Sequence, residues 1–384
     1  MKKIKTASVI FLSLFLFFAF DHKAQYNENK EAGKLNFTVE NPYQIVHVNP
    51  VKGKKAKNVI LMIGDGMGLT QISMAWVANQ GKLNLDNFKQ TGLSRTYAAN
   101  KLITDSGAAG TAMATGQKTN YHSVGVDVNG KSLPSITDLA HAKGLSTAVV
   151  VTCGLTDATP ATFCASNADR DQLEAIAADF LACNVDFLFG GGRKEFIQRT
   201  DGRDLMDEMQ QKGYRSTRTW DETKSITSGK VFAVIEDGQL LMANERGDIW
   251  QKASIQAISN LSKNEKGFFA MLEGSRIDDC GHWHDIPALM GEIFDFDQTI
   301  GKVLEWAEND GQTLVIVLAD HETGGLTLLD GDIKNGTVQG HFSTTGHSGI
   351  MIPVFAYGPQ AEKFTGVYEN TEVFSKIVEI LKLK

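Results

Sequence analysis

The stretch Val59-Ile-Leu-Met-Ile63-Gly64-Asp65 runs from an apolar segment directly into a carboxylate, and two later stretches do the same. These are Phe268-Phe-Ala-Met-Leu272-Glu273 and Leu314-Val-Ile-Val-Leu318-Ala-Asp320. Short continuous apolar runs predict strands that are buried on both faces of a parallel sheet. In open α/β folds the ligand crevice lies at the carboxyl ends of such strands, so we expect these carboxylates at one edge of the sheet.

The carboxylates at this edge are predicted to surround metal ions, because like charges this close repel strongly unless a cation sits among them. Asp278 and His282 follow Glu273 closely, and His321 follows Asp320 directly. Imidazole with carboxylate suits zinc, whereas carboxylate with hydroxyl suits magnesium. A single Asp after a strand is also typical of a helix cap, so the prediction of a multi-metal site rests on all three stretches together.

Strand-type and helix-type patterns alternate along the chain from Asn58 onward. The alternation predicts an α/β fold with a central, mostly parallel sheet flanked by helices on both faces. The predicted strands are Val59–Ile63, Thr147–Val151, Val185–Phe189, Val231–Ile235, Phe268–Leu272, Leu314–Leu318 and Ile350–Phe355. The predicted helices include Arg170–Cys183, Ile249–Ser262, Ala288–Ala307 and Thr371–Leu381.

The composition bounds the domain count and the class of partner. The chain has 384 residues, enough for one large α/β domain or two small ones. There is no internal repeat or linker, so we expect a polar N-terminal surface segment at 25–57 and a single domain at 58–384. The net charge of −7 and the lack of a basic block argue against a nucleic-acid partner.

Residues 1–24 have the pattern of a secretory signal peptide. Three lysines precede an uncharged run from Thr6 to Phe20, and Ala24 offers a cleavage point. The run is short for a stable membrane-spanning helix, although an uncleaved anchor remains the alternative. We therefore expect a secreted or periplasmic protein with no stable membrane association after cleavage.

The four cysteines would then meet an oxidising compartment, where disulfides persist. Cys164 and Cys183 stand 19 positions apart and are the favoured pair, although four cysteines allow three full pairings. Cys280 lies between Asp278 and His282 and is either a rival metal ligand or an inert thiol.

The stretch Thr104-Asp-Ser-Gly-Ala-Ala-Gly-Thr-Ala-Met-Ala-Thr-Gly116 consists almost entirely of small residues. It predicts a thin helix whose first turn other groups can approach closely. Ser106 would lie at the N-terminus of this helix, where free N–H groups favour negative charge. One interpretation is that Asp105 or Ser106 is only the helix cap. The other is that Ser106, beside metal ions, is a nucleophile, since a metal can lower the pKa of its hydroxyl.

Six motifs, in this order along the chain, resemble those of the alkaline phosphatase family. They cover the chain from Asn58 to about Gly358, and each is weak evidence alone. The motifs are Ile63-Gly-Asp-Gly-Met-Gly68, Thr104-Asp-Ser-Gly-Ala-Ala108, Thr156-Asp-Ala-Thr-Pro-Ala161, Glu273-Gly-Ser-Arg-Ile-Asp278, Ala319-Asp-His-Glu-Thr-Gly324 and Thr345-Gly-His-Ser348.

The resemblance implies a role for each matching residue. Ser106 would be the nucleophile that becomes phosphoserine, and Arg170 would bind the phosphate. The implied ligands are Asp278, His282 and His347 for one Zn²⁺, Asp65, Asp320 and His321 for a second Zn²⁺, and Asp65, Thr159 and Glu273 for one Mg²⁺, which Asp157 reaches through water. His284 competes with His282 for its place.

The implied activity is hydrolysis of small phosphate monoesters to inorganic phosphate and an alcohol at alkaline pH, by a homodimer. One rival is a phosphodiesterase of the same superfamily, although such relatives lack the third metal site that Thr159 and Glu273 suggest. A rival of another class is a secreted protein that binds metal or phosphate without chemistry, which would have no need of Ser106.

Asp279 departs from the family pattern, because well-known relatives carry lysine, histidine or tryptophan after the residue matching Asp278. An aspartate there, near Asp157, adds negative charge beside an anionic substrate. We hypothesise that Asp279 weakens phosphate binding and speeds product release; the alternative is that its side chain points into solvent.

Overall fold

Strands alternate with helices through most of residues 34–51 and 55–384, the part of the chain that the computed structural model describes. The strands are β1 (Leu35–Thr38), β2 (Asn58–Gly64), β3 (Gln90–Arg95), β4 (Ser146–Gly154), β5 (Phe187–Gly191), β6 (Arg215–Thr217), β7 (Val231–Val234), β8 (Phe268–Gly274), β9 (Thr313–Leu318), β10 (Glu322–Thr323), β11 (Leu326–Asp332), β12 (Thr337–Phe342), β13 (His347–Ser348), β14 (Ile352–Tyr357) and β15 (Gly366–Glu369). The α-helices are α1 (Leu69–Ala78), α2 (Ser106–Thr115), α3 (Ile136–Ala142), α4 (Ala158–Cys164), α5 (Leu173–Asp179), α6 (Arg193–Ile197), α7 (Leu205–Gln211), α8 (Trp220–Thr223), α9 (Ala243–Arg246), α10 (Ile249–Leu261), α11 (Arg276–Trp283), α12 (Ile286–Asp310) and α13 (Thr371–Leu381).

A ten-stranded sheet forms the centre of the described residues, with the strand order β15-β3-β14-β9-β2-β8-β4-β5-β7-β6. The seven strands from β9 to β6 pair in parallel. β14 pairs antiparallel with both β9 and β3, while β15 pairs in parallel with β3. β14 is therefore antiparallel to the other strands of this sheet. The predicted mostly parallel α/β sheet is confirmed.

The central strands are buried on both faces. Every residue of β2, β8 and β9 is buried. Because successive side chains of a strand point to opposite faces, this burial requires that both faces of the sheet be covered. α10 and α12 pack on each other and on the sheet, whereas α2, α3, α4 and α13 form a second packed group.

The long helix α12 extends beyond the predicted Ala288–Ala307 at both ends, and its two ends have clear capping signals. The side chain of Asp285 accepts a hydrogen bond from the Ala288 N–H at 3.0 Å, and Pro287 lies in the first turn. The helix ends at Gly311, whose φ of 70° is in the left-handed region that glycine adopts without strain.

Most predicted elements differ from the observed ones by a few residues at their ends, and for two of them a local contact accounts for the later start. The helix predicted from Arg170 starts only at Leu173, because the Asp169 carboxylate accepts the Asp171 N–H at 3.0 Å and forms a turn. The strand predicted from Val185 starts at Phe187, since the preceding Asp186 accepts the Thr147 N–H through its side chain.

A small antiparallel sheet of β1, β12 and β11 was not predicted. β1 and β11 have no regular alternation of buried and exposed residues. β11 also contains a bulge between Leu328 and Asp330. β1 lies in the predicted N-terminal surface segment, and the same segment reaches the core through Tyr43, whose hydroxyl donates to buried Asp297 at 2.5 Å.

The predicted signal peptide, 1–24, lies outside the described residues. Across the residues that are described, none of the helices combines the length and the apolar character needed to cross a membrane.

Candidate active site and metal centre

Four neighbouring strands deliver carboxylates to one edge of the sheet. Asp65 directly follows β2, Glu273 lies near the end of β8, and Asp320 follows β9. Asp157 comes shortly after β4, as the N-terminal cap of α4. Since β9, β2, β8 and β4 are adjacent and parallel, their carboxyl ends lie side by side, as the sequence predicted.

Gly66 allows two of these segments to approach each other closely. Its φ of 70° lies in the left-handed region, and a Cβ atom there would lie 2.9 Å from an oxygen of Asp278. A side chain at this position would therefore strain the turn after Asp65 and displace Asp278.

Ser106 is the first residue of α2, a helix that is buried along its whole length. The Asp105 carboxylate caps it by accepting the Ala108 N–H at 3.2 Å. At Gly110 a Cβ atom would lie only 2.9 Å from the Thr162 hydroxyl of α4, so the small residues permit close packing of the two helices. The structure assigns the cap to Asp105, so the Ser106 hydroxyl is not used for capping.

Ser106 faces a buried cluster of Asp65, Asp320 and His321. The Ser106 hydroxyl lies 3.2 Å from the His321 Nε2 atom. That nitrogen lies 3.1 Å from Asp320 and 3.6 Å from Asp65. Burial, followed by the neighbouring His347, lowers the pKa of His321 well below its ordinary value, so the imidazole is held neutral.

A second cluster consists of Asp278, His282 and His347. His282 Nε2 lies 3.2 Å from Asp278, and His347 Nε2 lies 3.6 Å from it. Each Nδ1 contacts a backbone carbonyl, of Thr345 at 2.6 Å for His282 and of Thr104 at 2.8 Å for His347.

The tautomers of these two histidines follow from their contacts. A carbonyl only accepts, so each Nδ1 carries the proton and a neutral ring presents a lone pair at Nε2. The two Nε2 atoms face each other at 3.3 Å, an arrangement that suits a cation bound between them.

A third set of oxygen ligands surrounds Asp65. The Thr159 hydroxyl lies 3.4 Å from Asp65 Oδ2, and Glu273 is buried on the adjacent strand. Asp157 borders the set and is fixed by hydrogen bonds to the Ala158 N–H and to Arg170.

Three buried carboxylate oxygens in these clusters have no hydrogen-bond partner: Asp65 Oδ1, Glu273 Oε1 and Asp320 Oδ2. Burial and then the neighbouring carboxylates raise the pKa of Asp65 and Glu273 well above the ordinary value, and raise that of Asp320 to about 6. Buried oxygens without donors are costly unless a cation coordinates them. The donor sets therefore fit the metal ions that the sequence predicted.

Arg170 connects Asp105, beside Ser106, to Asp157, which borders the oxygen atoms around Asp65. Its guanidinium donates to Asp105 at 3.0 Å and to Asp157 at 3.1 Å. The side chain is 21% exposed, so Arg170 is not fully enclosed by these contacts.

The structure distinguishes His282 from His284. His284 Nε2 contacts the Thr344 carbonyl at 2.8 Å, and its ring stacks on Phe342 with centroids 4.7 Å apart. His284 therefore has a structural environment, while His282 joins the cluster with Asp278.

Sequence reasoning missed the part that His122 plays. Its side chain lies 3.1 Å from Asp171 and 3.6 Å from Asp169 on the outer side of Arg170. Its backbone contacts the site on the inner side, donating to Asp105 and accepting from the Arg170 N–H. Only the positive φ of 74° distinguishes His122, and φ cannot be read from the sequence.

Comparison with known proteins identifies the family. The sequence profile described as Alkaline phosphatase matches residues 56–341 and 331–383. Alkaline phosphatase 4 of Bacillus subtilis is 32% identical over 85% of this chain and 89% of its own length. The chain belongs to the alkaline phosphatase family. The alkaline phosphatase of Escherichia coli K12 is also similar, at 31% identity over 86% of this chain and 87% of its own.

Solved structures show the same alkaline phosphatase fold. The enzyme from the Antarctic bacterium TAB5 superposes with a TM-score of 0.81 at 38% identity, covering 86% of this chain and all of its own. A variant of that enzyme, with a TM-score of 0.80, is described with magnesium bound in its M3 site. The predicted fold, family and class of enzyme are confirmed: the chain is an alkaline phosphatase-type hydrolase of phosphate monoesters.

Proposed function

We propose that this enzyme hydrolyses small phosphate monoesters at alkaline pH through a phosphoserine intermediate on Ser106. The observation that carries the proposal is the Ser106 hydroxyl at the N-terminus of α2, 3.2 Å from His321 in a cluster of donor atoms suited to a metal. A nucleophilic serine needs such an activating group, because a free hydroxyl is a weak nucleophile at its ordinary pKa.

The ligand sets support two Zn²⁺ ions and one Mg²⁺ ion, held by the residues expected from the sequence. One zinc would take Asp278, His282 and His347, and the other Asp65, Asp320 and His321. Magnesium would take Asp65, Thr159 and Glu273, with Asp157 nearby. When bound, such ions supply Lewis-acid stabilisation of the entering and leaving oxygens of the displacement.

The proposed reaction has two displacements at phosphorus. In the first, Ser106 Oγ loses its proton and bonds to phosphorus while the ester P–O bond breaks; the departing alcohol oxygen gains one proton, so the charge balances. In the second, a water oxygen bonds to phosphorus while the bond from phosphorus to Ser106 Oγ breaks; one water proton is transferred in net to Ser106 Oγ, and inorganic phosphate is released. The buried N-terminus of α2 favours the negative charge that develops beside Ser106.

Arg170 is proposed to hold the phosphoryl group. Two of its N–H groups are used by Asp105 and Asp157, which leaves others of its five for phosphate oxygens. The planar guanidinium can bind two of these oxygens at once, which a lysine could not reproduce. Because these contacts involve only the phosphoryl group, we expect the enzyme to accept phosphate esters of many different alcohols.

We further propose that residues 1–24 are a cleaved signal peptide, that the single domain spans 58–384, and that the mature enzyme is a secreted or periplasmic homodimer. The pattern of the first residues supports export, and the family supports dimerisation.

The decisive experiment compares wild type with Ser106→Ala on p-nitrophenyl phosphate and on bis-p-nitrophenyl phosphate, with zinc and magnesium present. Ser94→Ala is a matched control, since Ser94 is also buried but lies on β3 and its hydroxyl has no hydrogen-bond partner. We expect strong monoester turnover, weak diester turnover, and a large loss in Ser106→Ala alone. A preference for the diester would favour the phosphodiesterase alternative. Full activity in Ser106→Ala would show that Ser106 is not the nucleophile.

A further inference from the structure

Glu322 is a buried carboxylate that neither the motif roles nor the proposed chemistry uses. It directly follows His321 and is 3% exposed. One of its oxygens accepts from Gln71 Nε2 at 2.6 Å and from the Leu326 N–H at 3.0 Å. The other accepts from the Gly325 N–H at 3.2 Å and from the Ser348 hydroxyl.

The Ser348 contact connects Glu322 to the other ion cluster. Ser348 directly follows the proposed ligand His347 in the two-residue strand β13. In the register of β10 and β13, Glu322 lies opposite Ser348, and Thr323 lies opposite His347. The segment that carries Asp320 and His321 is therefore joined to the segment that carries His347 by this short ladder and by the Glu322 side chain.

His347 has other contacts as well, and within the ion clusters its ring stacks on that of His321 with centroids 3.6 Å apart. Its Nδ1 contacts the Thr104 carbonyl, and Gly324 N–H donates to the Gly346 carbonyl at 2.9 Å just before it. The residues that follow β13 are open to solvent, with Ile350 48% exposed. A two-residue strand has little intrinsic stability, so a buried carboxylate that holds four donors is a major restraint on the position of β13.

We propose that Glu322 is a positioning residue for the ion held by Asp278, His282 and His347, and that it acts through Ser348. The proposal rests on the two-zinc site proposed above. Groups that orient a ligand without touching the metal typically change metal affinity by about 10- to 100-fold when removed. Here we expect weaker binding only of the ion assigned to the cluster with His347. Glu322 is adjacent in sequence to His321, but the ion assigned to His321 should bind as before.

The test is zinc titration of the metal-free full-length protein against a competing chromophoric chelator, which reports two dissociation constants independently of activity. The variants are Glu322→Ala and the milder Ser348→Ala, which removes the link but leaves Glu322 in place. His347→Ala and Asp320→Asn show which constant belongs to which ion. Asp297→Ala is the matched control, because Asp297 is buried and accepts from Tyr43, Asn84 and Leu85, none of them an ion ligand.

We expect Glu322→Ala to weaken, by about 10- to 100-fold, the same ion that His347→Ala weakens. Ser348→Ala should weaken that ion by about fivefold, as loss of one hydrogen bond would. Unchanged constants in Ser348→Ala, or loss of the ion that depends on Asp320, would overturn the role of Glu322. A wild type that binds no zinc would instead overturn the two-zinc site itself.

Discussion

Asp105 and Arg170 form a salt bridge of 3.0 Å. The Asp105 carboxylate also caps α2, the helix that begins at Ser106. The carboxylate also accepts the His122 N–H at 3.1 Å. One buried side chain therefore connects the start of α2, with the proposed nucleophile Ser106, to Arg170, the proposed phosphate-binding residue. Sequence reasoning offered Asp105 as a possible helix cap, but its ion pair with Arg170 was not predicted.

Asp105→Asn should destabilise the protein in a way that depends on pH. Burial by itself would raise the pKa of Asp105, but Arg170 and the two N–H donors lower it below its ordinary value of 3.8. A lowered folded-state pKa adds stability that is complete above the unfolded value and is lost as pH falls through the folded one. We expect a difference in unfolding free energy of about 2 kcal/mol at pH 7.

Denaturant unfolding of the metal-free proteins at pH 7 and at a series of values below 4 measures this difference. It should shrink as the wild-type carboxylate is protonated. A difference that stays constant across the series would show that the charge of Asp105 is not its source.

Arg170→Lys should impair the enzyme nearly as much as Arg170→Ala. A lysine carries one compact charge and cannot contact Asp105, Asp157 and a phosphate together. We expect kcat/KM for p-nitrophenyl phosphate to fall by about 10- to 100-fold in both variants, with weaker inhibition by inorganic phosphate. Arg95→Lys, an exposed arginine paired with Glu369, serves as the control and should leave both quantities unchanged. Near-normal kinetics for Arg170→Lys would mean that only the charge matters.

Asp279→Lys should strengthen inhibition by inorganic phosphate. Asp279 is half-buried and accepts from Arg276 at 3.0 Å, so it does not simply point into solvent. Burial raises the pKa of Asp279, the Arg276 guanidinium opposes this rise, and the nearby Asp278 and Asp157 add to it. We expect Asp279→Asn to lower the inhibition constant for phosphate and Asp279→Lys to lower it further. If steady-state inhibition gives the same phosphate inhibition constant for wild type, Asp279→Asn and Asp279→Lys, Asp279 does not influence phosphate binding.

Cys164 and Cys183 should form a disulfide when the protein matures in an oxidising compartment. Both are free thiols in the structure, and both line one cavity of about 290 Å³. Burial and then the neighbouring Cys183 raise the pKa of Cys164, consistent with adjacent sulfur atoms. The bond would close the loop that contains Arg170 and stabilise the fold by about 3 kcal/mol.

Thiol titration of the denatured, exported protein should then find two free thiols, and Cys183→Ser should leave three. Four free thiols in the wild type would contradict the pairing. Cys153→Ser is the control, because Cys153 lies beside Glu273 and should not change the bonded pair.

The sequence predicted the site better than it predicted the periphery of the fold. Asp65, Glu273 and Asp320 were located because continuous apolar strands have a strong pattern and parallel strands end at one edge. The edge strand β15 and its neighbour β3 are partly exposed and lack a continuous apolar run, so their pattern resembles that of loops. Their place in the sheet is decided by pairing with distant residues, which local patterns do not encode.

The connections within the site were also beyond sequence reasoning. In the sequence, Glu322 is one polar residue of a motif. Two of its four donors, Gly325 and Leu326, are local, but the other two, Gln71 and Ser348, come from other segments of the chain. His122 contributes through its backbone, which any residue possesses. In both cases the function depends on tertiary contacts rather than on residue type or spacing.

The spread of the proposed ion ligands along the chain, from Asp65 beside an early strand to His347 beside a late one, has a consequence for how the enzyme matures. No short peptide contains a complete ligand set, so ions cannot nucleate folding as they do in small zinc-dependent domains. The sheet must first bring its strand ends together, and only then does a high-affinity site exist. If the chain is exported unfolded, metal loading must follow export, and the supply of zinc outside the cytoplasm would set the yield of active enzyme.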